Sequence, residues 1–584
     1  MSQSARPNRN PVITVLLRRM RTPLLVLLTA YALAVLGFSL IPGQDDQGES
    51  WRMSLFHAFY VVSYTGSTIG FGEVPYTFSE GQRLWTIVSI YMTVIAWLYA
   101  VGALISTLRD PAFHAALDIV RLRKNIARLD EPFHMICGYG DTGALLVRAI
   151  TERGGRAVVV ETDAERVQAL NLREHVPHVP AMHLDARNPE HLMMAGLRNR
   201  WCTSVLAVTD DDRTNLKISL AAKLLHPGSH VICRAESSET ADNIASFGTD
   251  HIVNGYDHFA YRLHLAIRAP DLHRVYDWLT GIPNTELPER ARPPAGHWLI
   301  CGYGPLGRAV TERLLKDGHE ITVIDETAAE LPAGVQRVAG SGTQAGSLRQ
   351  AGIAHADALL ACTSDDADNL STVMTARQLR DDLFIAARQN ALRNKPLFEA
   401  ANTDMTVEPS YIVSSQVLAI LNASLLNSFL KAAEDCDASW HRELAEQIRK
   451  LADGRIPVTW TLRVSQKRTP VLVNCLEAGK PVALQDVMRN PANRDSSLDC
   501  LPLMLRRADR TVLRPAEDTW LETGDYLLFC GTPRSETSMR RSLRNRDLLE
   551  FLRTGVHRPG GWVWRKFRQW RMGGENGNAA QKEG

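Results

Sequence analysis

Two long apolar runs stand near the start of the chain, and polar or basic sequence borders each of them. Residues 22–42 carry no charged side chain, and residues 84–108 form a second uncharged run that is rich in aromatic residues. About 20 apolar residues cross a bilayer core of roughly 30 Å, so both runs predict transmembrane helices. The apolar core of a cleaved signal peptide is only about 7–15 residues long. The two runs therefore predict retained spans.

A shorter apolar segment, residues 55–65, lies between the two runs and is too short to span a bilayer. It predicts a re-entrant helix that delivers the chain to the segment from Ser67 to Glu73. Basic residues precede the first run and follow the second, and this distribution places both termini in the cytosol. The sequence thus predicts a multi-pass protein of the inner (plasma) membrane.

In the segment from Ser67 to Glu73, two glycines alternate with large apolar residues. Glycines at alternate positions let successive carbonyls point the same way, and a ring of such carbonyls can replace the hydration shell of a potassium ion. The segment resembles the signature of potassium channels, with Phe71 and Glu73 where Tyr and Asp are commonest. The resemblance implies potassium as the transported ion and a filter formed by Thr68, Ile69, Gly70, Phe71 and Gly72. We further expect Tyr60 to reach Glu73 behind it. One filter strand cannot close a ring, so a homotetramer is implied.

The pattern after residue 130 is repeated twice. Each copy has an apolar strand that runs into GxGxxG, a helical pattern, and a second strand that ends in an acid; the motif residues are Gly138, Gly140, Gly143 and Glu161, and then Gly302, Gly304, Gly307 and Asp325. In Rossmann folds the glycines allow close approach to a pyrophosphate and the acid takes the ribose hydroxyls. The pattern predicts two α/β domains with dinucleotide sites. Later strands end in polar clusters, residues 210–215 and 365–369, where open α/β sheets bind ligands.

Both copies resemble the RCK domain, the regulator of potassium conductance. The third strand of that family commonly ends in Gly-Asp-Ala, and the first copy keeps the acid as Asp185 while residues 340–342 of the second copy lose it. The resemblance implies NAD or a related adenine nucleotide as the effector, more clearly in the first copy. Calcium is an alternative effector. In calcium-gated relatives glutamates join the position of Asp185, and here Arg234 replaces one of them while Glu236 and Glu239 remain.

The remaining sequence predicts pairing helices at residues 256–279 and 412–451, a Pro-rich linker, and β segments at 457–464, 470–478 and 521–531. We divide the chain into a basic cytosolic N-terminus (1–22), a pore module (23–108), a connector (109–130), a first RCK domain (131–282), a linker (283–296), a second RCK domain with pairing helices (297–454), a small α+β C-terminal lobe (455–550) and a basic, aromatic and disordered tail (551–584).

Composition limits the classes of function. The 584 residues carry a formal charge of +2, so the chain as a whole lacks the basic excess that is typical of nucleic-acid-binding proteins. Nine cysteines lie at irregular positions between Cys137 and Cys530, as in a reduced cytosolic region. The patterns together predict a potassium channel that a cytosolic nucleotide-binding ring gates. The alternative from another class is a membrane-tethered, dinucleotide-dependent oxidoreductase, but no nucleophile–base constellation accompanies the dinucleotide motifs.

Overall fold

The computed structural model describes residues 11–556 apart from residues 247, 288–291 and 328–329. The chain forms two compact units, residues 1–128 and 129–584. The basic residues Arg6 and Arg9 and the aromatic, basic stretch 562–571 lie outside the described residues.

The first unit is helical, with one short hairpin between its first two helices. Its elements are α1 (Pro11–Leu40), β1 (Pro42–Gln44), β2 (Ser50–Arg52), α2 (Leu55–Gly66), α3 (Glu80–Leu108) and α4 (Pro111–Ala127). The Ser54 hydroxyl caps α2, and Ser79 and Gln82 form a capping box at the start of α3. Residues 18–40 of α1 and the whole of α3 are long and apolar enough to cross a membrane. The predicted spans and re-entrant helix are therefore present as helices.

The second unit contains the two copies and a smaller lobe. Its elements are β3 (Phe133–Cys137), α5 (Asp141–Glu152), β4 (Arg156–Glu161), α6 (Ala164–Leu172), β5 (Ala181–His183), α7 (Pro189–Met194), β6 (Cys202–Ala207), α8 (Asp212–Leu225), β7 (His230–Arg234), α9 (Ser238–Ser246), β8 (His251–Val253), α10 (Gly255–Arg268), α11 (Pro270–Thr280), β9 (His297–Cys301), α12 (Pro305–Lys316), β10 (Glu320–Ile324), β11 (Gln336–Val338), α13 (Ala345–Gln350), β12 (Ala358–Ala361), α14 (Asp366–Leu379), β13 (Phe384–Arg388), a 3-10 turn (Leu392–Asn394), α15 (Lys395–Ala400), β14 (Met405–Val407), α16 (Pro409–Asn422), α17 (Leu426–Ala433), α18 (Ala438–Ala452), β15 (Val458–Arg463), α19 (Pro470–Glu477), α20 (Leu484–Met488), β16 (Arg489–Asn490), β17 (Asn493–Ser497), β18 (Cys500–Arg507), β19 (Arg510–Leu513), β20 (Tyr526–Gly531), α21 (Pro533–Ser542) and α22 (Arg546–Thr554).

Each copy is a six-stranded parallel sheet. The strand orders are β5-β4-β3-β6-β7-β8 and β11-β10-β9-β12-β13-β14, which is the same order in the two copies. In both sheets the glycine-rich turn follows the central strand, β3 or β9, next to the point where the strand order reverses. Open α/β sheets bind ligands at this point. The predicted doubly wound fold is confirmed.

The two copies exchange helices. α10 follows the first copy, but its Tyr256, Phe259 and Leu263 are buried in the core of the second copy. α16 follows the second copy, and its Val413 and Val417 are buried in the core of the first. Because each sheet is covered by the helix that the other copy supplies, the two copies are one pseudo-symmetric pair within a single chain. The bent pair α16 and α17, at 108°, is apolar because α16 packs in the core of the first copy and α17 packs in a core shared with the C-terminal lobe.

The C-terminal lobe holds a four-stranded antiparallel sheet of order β15-β20-β18-β19. The prediction of a β segment at 470–478 is wrong, because these residues form α19. Pro470 stands in the first turn of α19, where its fixed φ suits a helix and its missing N–H is no loss. Only the last six residues of the predicted segment 521–531 form a strand, β20.

All nine cysteines lie among the described residues and are free, and eight of them are buried. Burial raises the pKa of four thiols to about 12, those of Cys202, Cys233, Cys362 and Cys500. These buried thiols are therefore neutral at physiological pH.

Candidate functional site

The filter segment follows directly from the end of α2. Backbone φ is positive at Thr68, Gly70 and Gly72, at 62°, 64° and 92°, so left-handed residues alternate with ordinary ones. Such alternation turns successive carbonyls to one side of the strand. A threonine in the left-handed region is unusual, and backbone strain of this kind clusters at functional sites. The positive φ at Gly70 and Gly72 fits the alternation that the glycine spacing predicts, and Thr68 extends it by one position.

Hydrogen bonds hold this segment against α2. The N–H groups of Ile69 and Gly70 both donate to the carbonyl of Tyr64, at 3.0 and 3.4 Å. The Tyr64 hydroxyl donates to the carbonyl of Gly72 at 2.5 Å, which turns that carbonyl towards α2. The carbonyls of Thr68, Ile69, Gly70 and Phe71 remain the candidates to face an ion.

The predicted contact of Tyr60 with Glu73 is wrong. The Tyr60 ring instead stacks on Phe71, with ring centroids 6.4 Å apart and planes 4° from parallel. Glu73 accepts hydrogen bonds from the Arg83 guanidinium at 2.9 and 3.2 Å and from the N–H of Phe78 at 2.8 Å. Glu73 therefore links the end of the filter segment to the start of α3. No motif in the sequence indicated that Arg83 would be its partner.

The two glycine-rich turns have nearly the same geometry. φ is 101° at both Gly138 and Gly302. A Cβ placed on Gly143 or Gly307 would lie 2.1 or 2.2 Å from the carbonyl oxygen of the first glycine of its own motif. The first glycine is thus needed because the turn requires a positive φ. The third glycine is needed because the helix packs too closely on the turn to leave room for a Cβ.

The second glycine of each motif, Gly140 or Gly304, is the N-cap of the following helix, α5 or α12. Neither helix has a side-chain hydrogen bond at its cap. The N–H groups of the first helical turn are therefore open to an anion such as a pyrophosphate.

A cavity of about 630 Å³ adjoins the turn of the first copy. Its wall includes Gly138, Gly140, Glu161 and Asp185, four of the five residues that the sequence predicts for this site. The fifth, Gly143, packs behind the turn.

Glu161 is buried, with 6% of its surface exposed, at the rim of this cavity. Its carboxylate accepts N–H hydrogen bonds from Tyr139, Thr162 and Asp163 at 2.5, 2.7 and 2.8 Å. Glu161 therefore fixes the glycine-rich turn to the end of β4. Its predicted contact with the ribose of a nucleotide remains a prediction.

Asp185 forms a two-pronged ion pair with Arg187, at 2.8–3.0 Å. The Arg187 hydrogen bonds hold the pKa of Asp185 below its usual range, so the carboxylate is ionised at neutral pH. Arg166 lines the same cavity and pairs with Asp163 at 3.3 Å. Sequence reasoning missed both arginines, because exposed arginines are common and no motif marked them.

The second copy differs where Asp185 would stand. Asp325 accepts N–H hydrogen bonds from Tyr303 and Thr327 at 2.7 Å each, as Glu161 does in the first copy. At the end of the third strand, however, the Ser341 hydroxyl bonds to the Thr343 hydroxyl at 2.8 Å. A Cβ on Gly340 would lie 2.5 Å from the Ser347 hydroxyl oxygen, so this turn is packed closely.

The predicted polar clusters at the strand ends are structural in part. Asn215 is fully buried and links the end of β6 to the end of β7 through the backbone of Thr209 and Arg234. Asn369 makes the same hydrogen bonds to Thr363 and Arg388 in the second copy. These asparagines hold neighbouring strands together.

The turn of the first copy also contacts the second copy. Asp141, in the first turn of α5, accepts a hydrogen bond from the N–H of Leu392 at 2.9 Å. Asp366, at the start of α14, accepts N–H hydrogen bonds from Asn390 and Ala391 at 2.6 and 3.1 Å. Residues 390–392 therefore join the start of α5 in one copy to the start of α14 in the other.

The structure does not support calcium as an effector. Glu236 is paired with Arg234, and Asp185 is paired with Arg187. No group of three His, Cys, Asp or Glu side chains in the described part of the chain is arranged to hold a metal ion.

Comparisons with known proteins agree with both halves of this description. Residues 24–110 match the family described as ion channel, and residues 134–255 and 298–409 match the TrkA-N domain. The chain is 27% identical over 209 residues to potassium channel protein 1 of Methanocaldococcus jannaschii, which covers 36% of this chain and 60% of the relative. It is 24% identical over 250 residues to the Trk system potassium uptake protein TrkA of Mycobacterium tuberculosis, covering 42% of this chain and 96% of the relative.

The chain spans 60% and 44% of the length of two M. jannaschii potassium channel relatives. A solved structure described as the GsuK channel bound to NAD is 16% identical, with a TM-score of 0.42, and the match covers 91% of this chain and 99% of that one. The named relatives are channels and potassium uptake proteins, not enzymes, so the oxidoreductase alternative is not supported.

Proposed function

Because this membrane protein joins an ion channel domain to two TrkA-N domains, we propose that it is a potassium-selective channel gated by a nucleotide. The pore forms from four identical chains in the plasma membrane, and both termini are cytosolic. The observation that carries the proposal is the alternation of left-handed φ at Thr68, Gly70 and Gly72 between two helices that can span a membrane.

Exposed apolar side chains support assembly around the filter. Ile69 and Phe71 are 62% and 63% exposed in the single chain, next to a backbone held in a strained conformation. Large apolar side chains at such a place are expected to pack against neighbouring chains. A fourfold ring brings four such strands together and surrounds one ion with carbonyl oxygens.

Potassium flux from purified protein in liposomes tests the pore. Gly70→Ala places a Cβ on a residue with φ of 64°, which costs about 1–2 kcal/mol at each of four positions around one ion path. We expect flux to fall by at least about tenfold. Gly48→Ala is the matched control, because Gly48 also has a positive φ, 81°, but lies outside the filter with open space around it. Equal flux from the two variants, or equal passage of sodium and rubidium, would contradict the proposal.

Charge in the first-copy cavity supports a particular nucleotide. Its wall carries five carboxylates and two guanidiniums, a formal excess of three negative charges; the residues are Glu161, Asp163, Asp185, Asp210, Asp211, Arg166 and Arg187. The oxidised nicotinamide ring is cationic, so NAD⁺ is less negative than NADH, ADP or ATP. Because a cleft of one sign disfavours ligands of the same sign, the site should prefer NAD⁺.

The contact between Asp141 and Leu392 supports a route from this site to the second copy. A pyrophosphate at the start of α5 would approach the Asp141 carboxylate, whose partner is the Leu392 N–H. If a nucleotide binds more tightly when this contact is in one arrangement than in another, it shifts the equilibrium between the two arrangements by the difference in binding free energy. In the sequence, α4 joins α3 of the pore module to β3 of the first copy, so a change in the second unit can act on the gate through α4.

Calorimetry and flux test this part together. We expect affinity to follow the order NAD⁺, NADH, ADP, and flux to change on NAD⁺ addition. Asp141→Ala should reduce the change in flux while NAD⁺ still binds. Glu152→Ala, at the exposed far end of α5, is the control and should respond as the parent does. Tighter binding of ADP than of NAD⁺ would contradict the charge argument.

A further inference from the structure

A second cavity lies between three helices that come from different parts of the second unit. Its volume is about 310 Å³, and α5 of the first copy, α16 and α21 of the C-terminal lobe line it. It opens at the end of α5 that carries Arg153, whereas the glycine-rich turn stands at the opposite end of that helix. The cavity is therefore separate from the nucleotide site.

One wall of this cavity is charged. Arg153 donates from Nη2 to Glu536 at 2.8 Å, and Arg540 donates from Nε and Nη2 to the other oxygen of Glu536 at 3.0 and 2.8 Å. Two guanidiniums thus share one carboxylate, which leaves a net positive charge. Arg153 Nη1 is buried and has no hydrogen-bond partner among the described residues. Most buried donors in proteins have a partner, so this one indicates an acceptor still to be supplied.

Other residues that line the cavity are apolar: Ile150, Leu418 and Leu421. His134 also lines the cavity, and burial lowers its pKa to about 4, so it is neutral at physiological pH. The cavity therefore combines cationic and apolar lining residues, a combination typical of small-molecule sites.

We propose that this cavity binds a small organic anion, with its carboxylate or phosphate on Arg153 and Arg540 and its apolar body against Leu418 and Leu421. Glu536 occupies Nη2 of both arginines, so the headgroup accepts a charge-assisted hydrogen bond from Arg153 Nη1. Bound there, the anion bridges the first copy and the C-terminal lobe, and it stabilises their docked arrangement because it contacts both.

Calorimetric titration of the full-length protein in lipid nanodiscs tests this site. The probes are butyrate, acetate and butan-1-ol, with ethyl phosphate as the phosphate probe. We expect butyrate to bind about tenfold more tightly than acetate, because it buries two more methylene groups. Butan-1-ol, which has no charge, should not bind. If ethyl phosphate binds more tightly than butyrate, the headgroup is a phosphate.

Three variants locate the binding. Arg153→Met should weaken butyrate binding by about tenfold or more. Arg148→Met, on the same helix but 71% exposed and outside the cavity, should leave it unchanged. Glu536→Gln should strengthen binding, since it removes the carboxylate that competes for both arginines. A purely structural role for Glu536 predicts weaker butyrate binding by Glu536→Gln, which is the opposite result. This variant therefore tests the proposal even if Arg153→Met does not fold. Failure of all the anions to bind, equal affinity for acetate and butyrate, or weaker binding by Glu536→Gln would overturn the proposal.

Discussion

The two α/β copies share their scaffold and differ in the chemistry at the edge of the sheet. The strand order, the φ of the first glycine and the buried asparagine clamp are the same in both copies. The ion pair that closes the last strand is also equivalent, with Asp250 bound by Lys223 in one copy and Asp404 bound by Arg377 in the other. The repeated residues are therefore those that hold backbone segments together.

The differences lie where a ligand would touch the protein. The first copy has Asp185 with its Arg187 partner, while the second has the hydroxyl of Ser341. The first copy has Asp141 at the start of its helix, and the second has Pro305, which has no acceptor side chain. The comparison teaches that the two copies share Glu161 or Asp325 at the end of the second strand, but only the first copy has a charged side chain at the end of the third strand and an acceptor side chain at the start of the glycine-motif helix.

The largest expected effect comes from the third glycine of each motif. Gly143→Ala and Gly307→Ala each place a Cβ within 2.2 Å of a backbone oxygen, and the backbone must move to relieve the overlap. We expect each to lower the free energy of unfolding by about 3 kcal/mol or more, measured as the urea midpoint of the second unit. Gly346→Ala is the control, since nothing lies within 4 Å of its Cβ position. If only one of the two variants lost a large part of its free energy of unfolding, the two copies would differ in how closely the helix packs on the turn.

The next effect concerns the asparagine clamps. Asn215→Ala and Asn369→Ala each leave buried backbone N–H and C=O groups without a partner. The expected loss is about 2–3 kcal/mol in each copy. Asn243→Ala, on the exposed face of α9, should change the urea midpoint little. Unequal losses would mean that one clamp also serves a ligand.

A smaller effect should separate the two sites. Asp185→Ala removes one carboxylate from the acidic cavity, so the ratio of the NAD⁺ affinity to the ADP affinity should fall. Two unit charges close together in water interact by about 1 kcal/mol, which corresponds to a fall of about fivefold. Ser341→Ala should leave the ratio unchanged, because no charge is lost. Calorimetry with both nucleotides measures the ratio. A matching shift in Ser341→Ala would place the nucleotide in the second copy.

The smallest effect is a pH dependence in the second copy. Burial acts to raise the pKa of Asp366, but hydrogen bonds from Asn390, Asn394 and Ala391 outweigh it and hold the pKa below its usual range. This carboxylate therefore stabilises the fold above the pKa of an unfolded aspartate, about 3.9, and the stabilisation is lost as the pH falls through the lower folded value. Asp366→Asn should reduce the loss of stability between pH 5 and pH 3. Asp368→Asn is the exposed control. An unchanged pH profile would assign the loss to other groups.

Much of the fold could be predicted from the sequence because periodic and repeated patterns carry it. The uncharged runs gave the two helices of the first unit, and the paired glycine motifs gave both sheets. Residues 470–478 could not be predicted correctly, because a short apolar run has no period that separates strand from helix. Here Pro470 at the first turn was the signal that a helix begins.

The site was predicted less completely, because long-range contacts decide it. The pairing of Glu73 with Arg83 and the stacking of Tyr60 on Phe71 depend on how α2 and α3 meet. The clamp role of Asn215 and Asn369 could have been found, since both copies carry an asparagine at the same place after the strand. The sequence predicted pairing helices at 256–279 and 412–451, where α10 and α16 lie, but long-range packing decides which core each helix enters.

The burial of the thiols makes the natural sequence suitable for site-specific labelling. Maleimide reagents react with exposed thiolates, and Cys436 is the one cysteine that is not fully buried. It follows α17, beside the helices that pack on the C-terminal lobe. Burial, and then Asp437 and Asp435, raise the pKa of Cys436, so coupling needs mildly alkaline buffer. A fluorophore there would report on movement of the lobe without removal of any other cysteine.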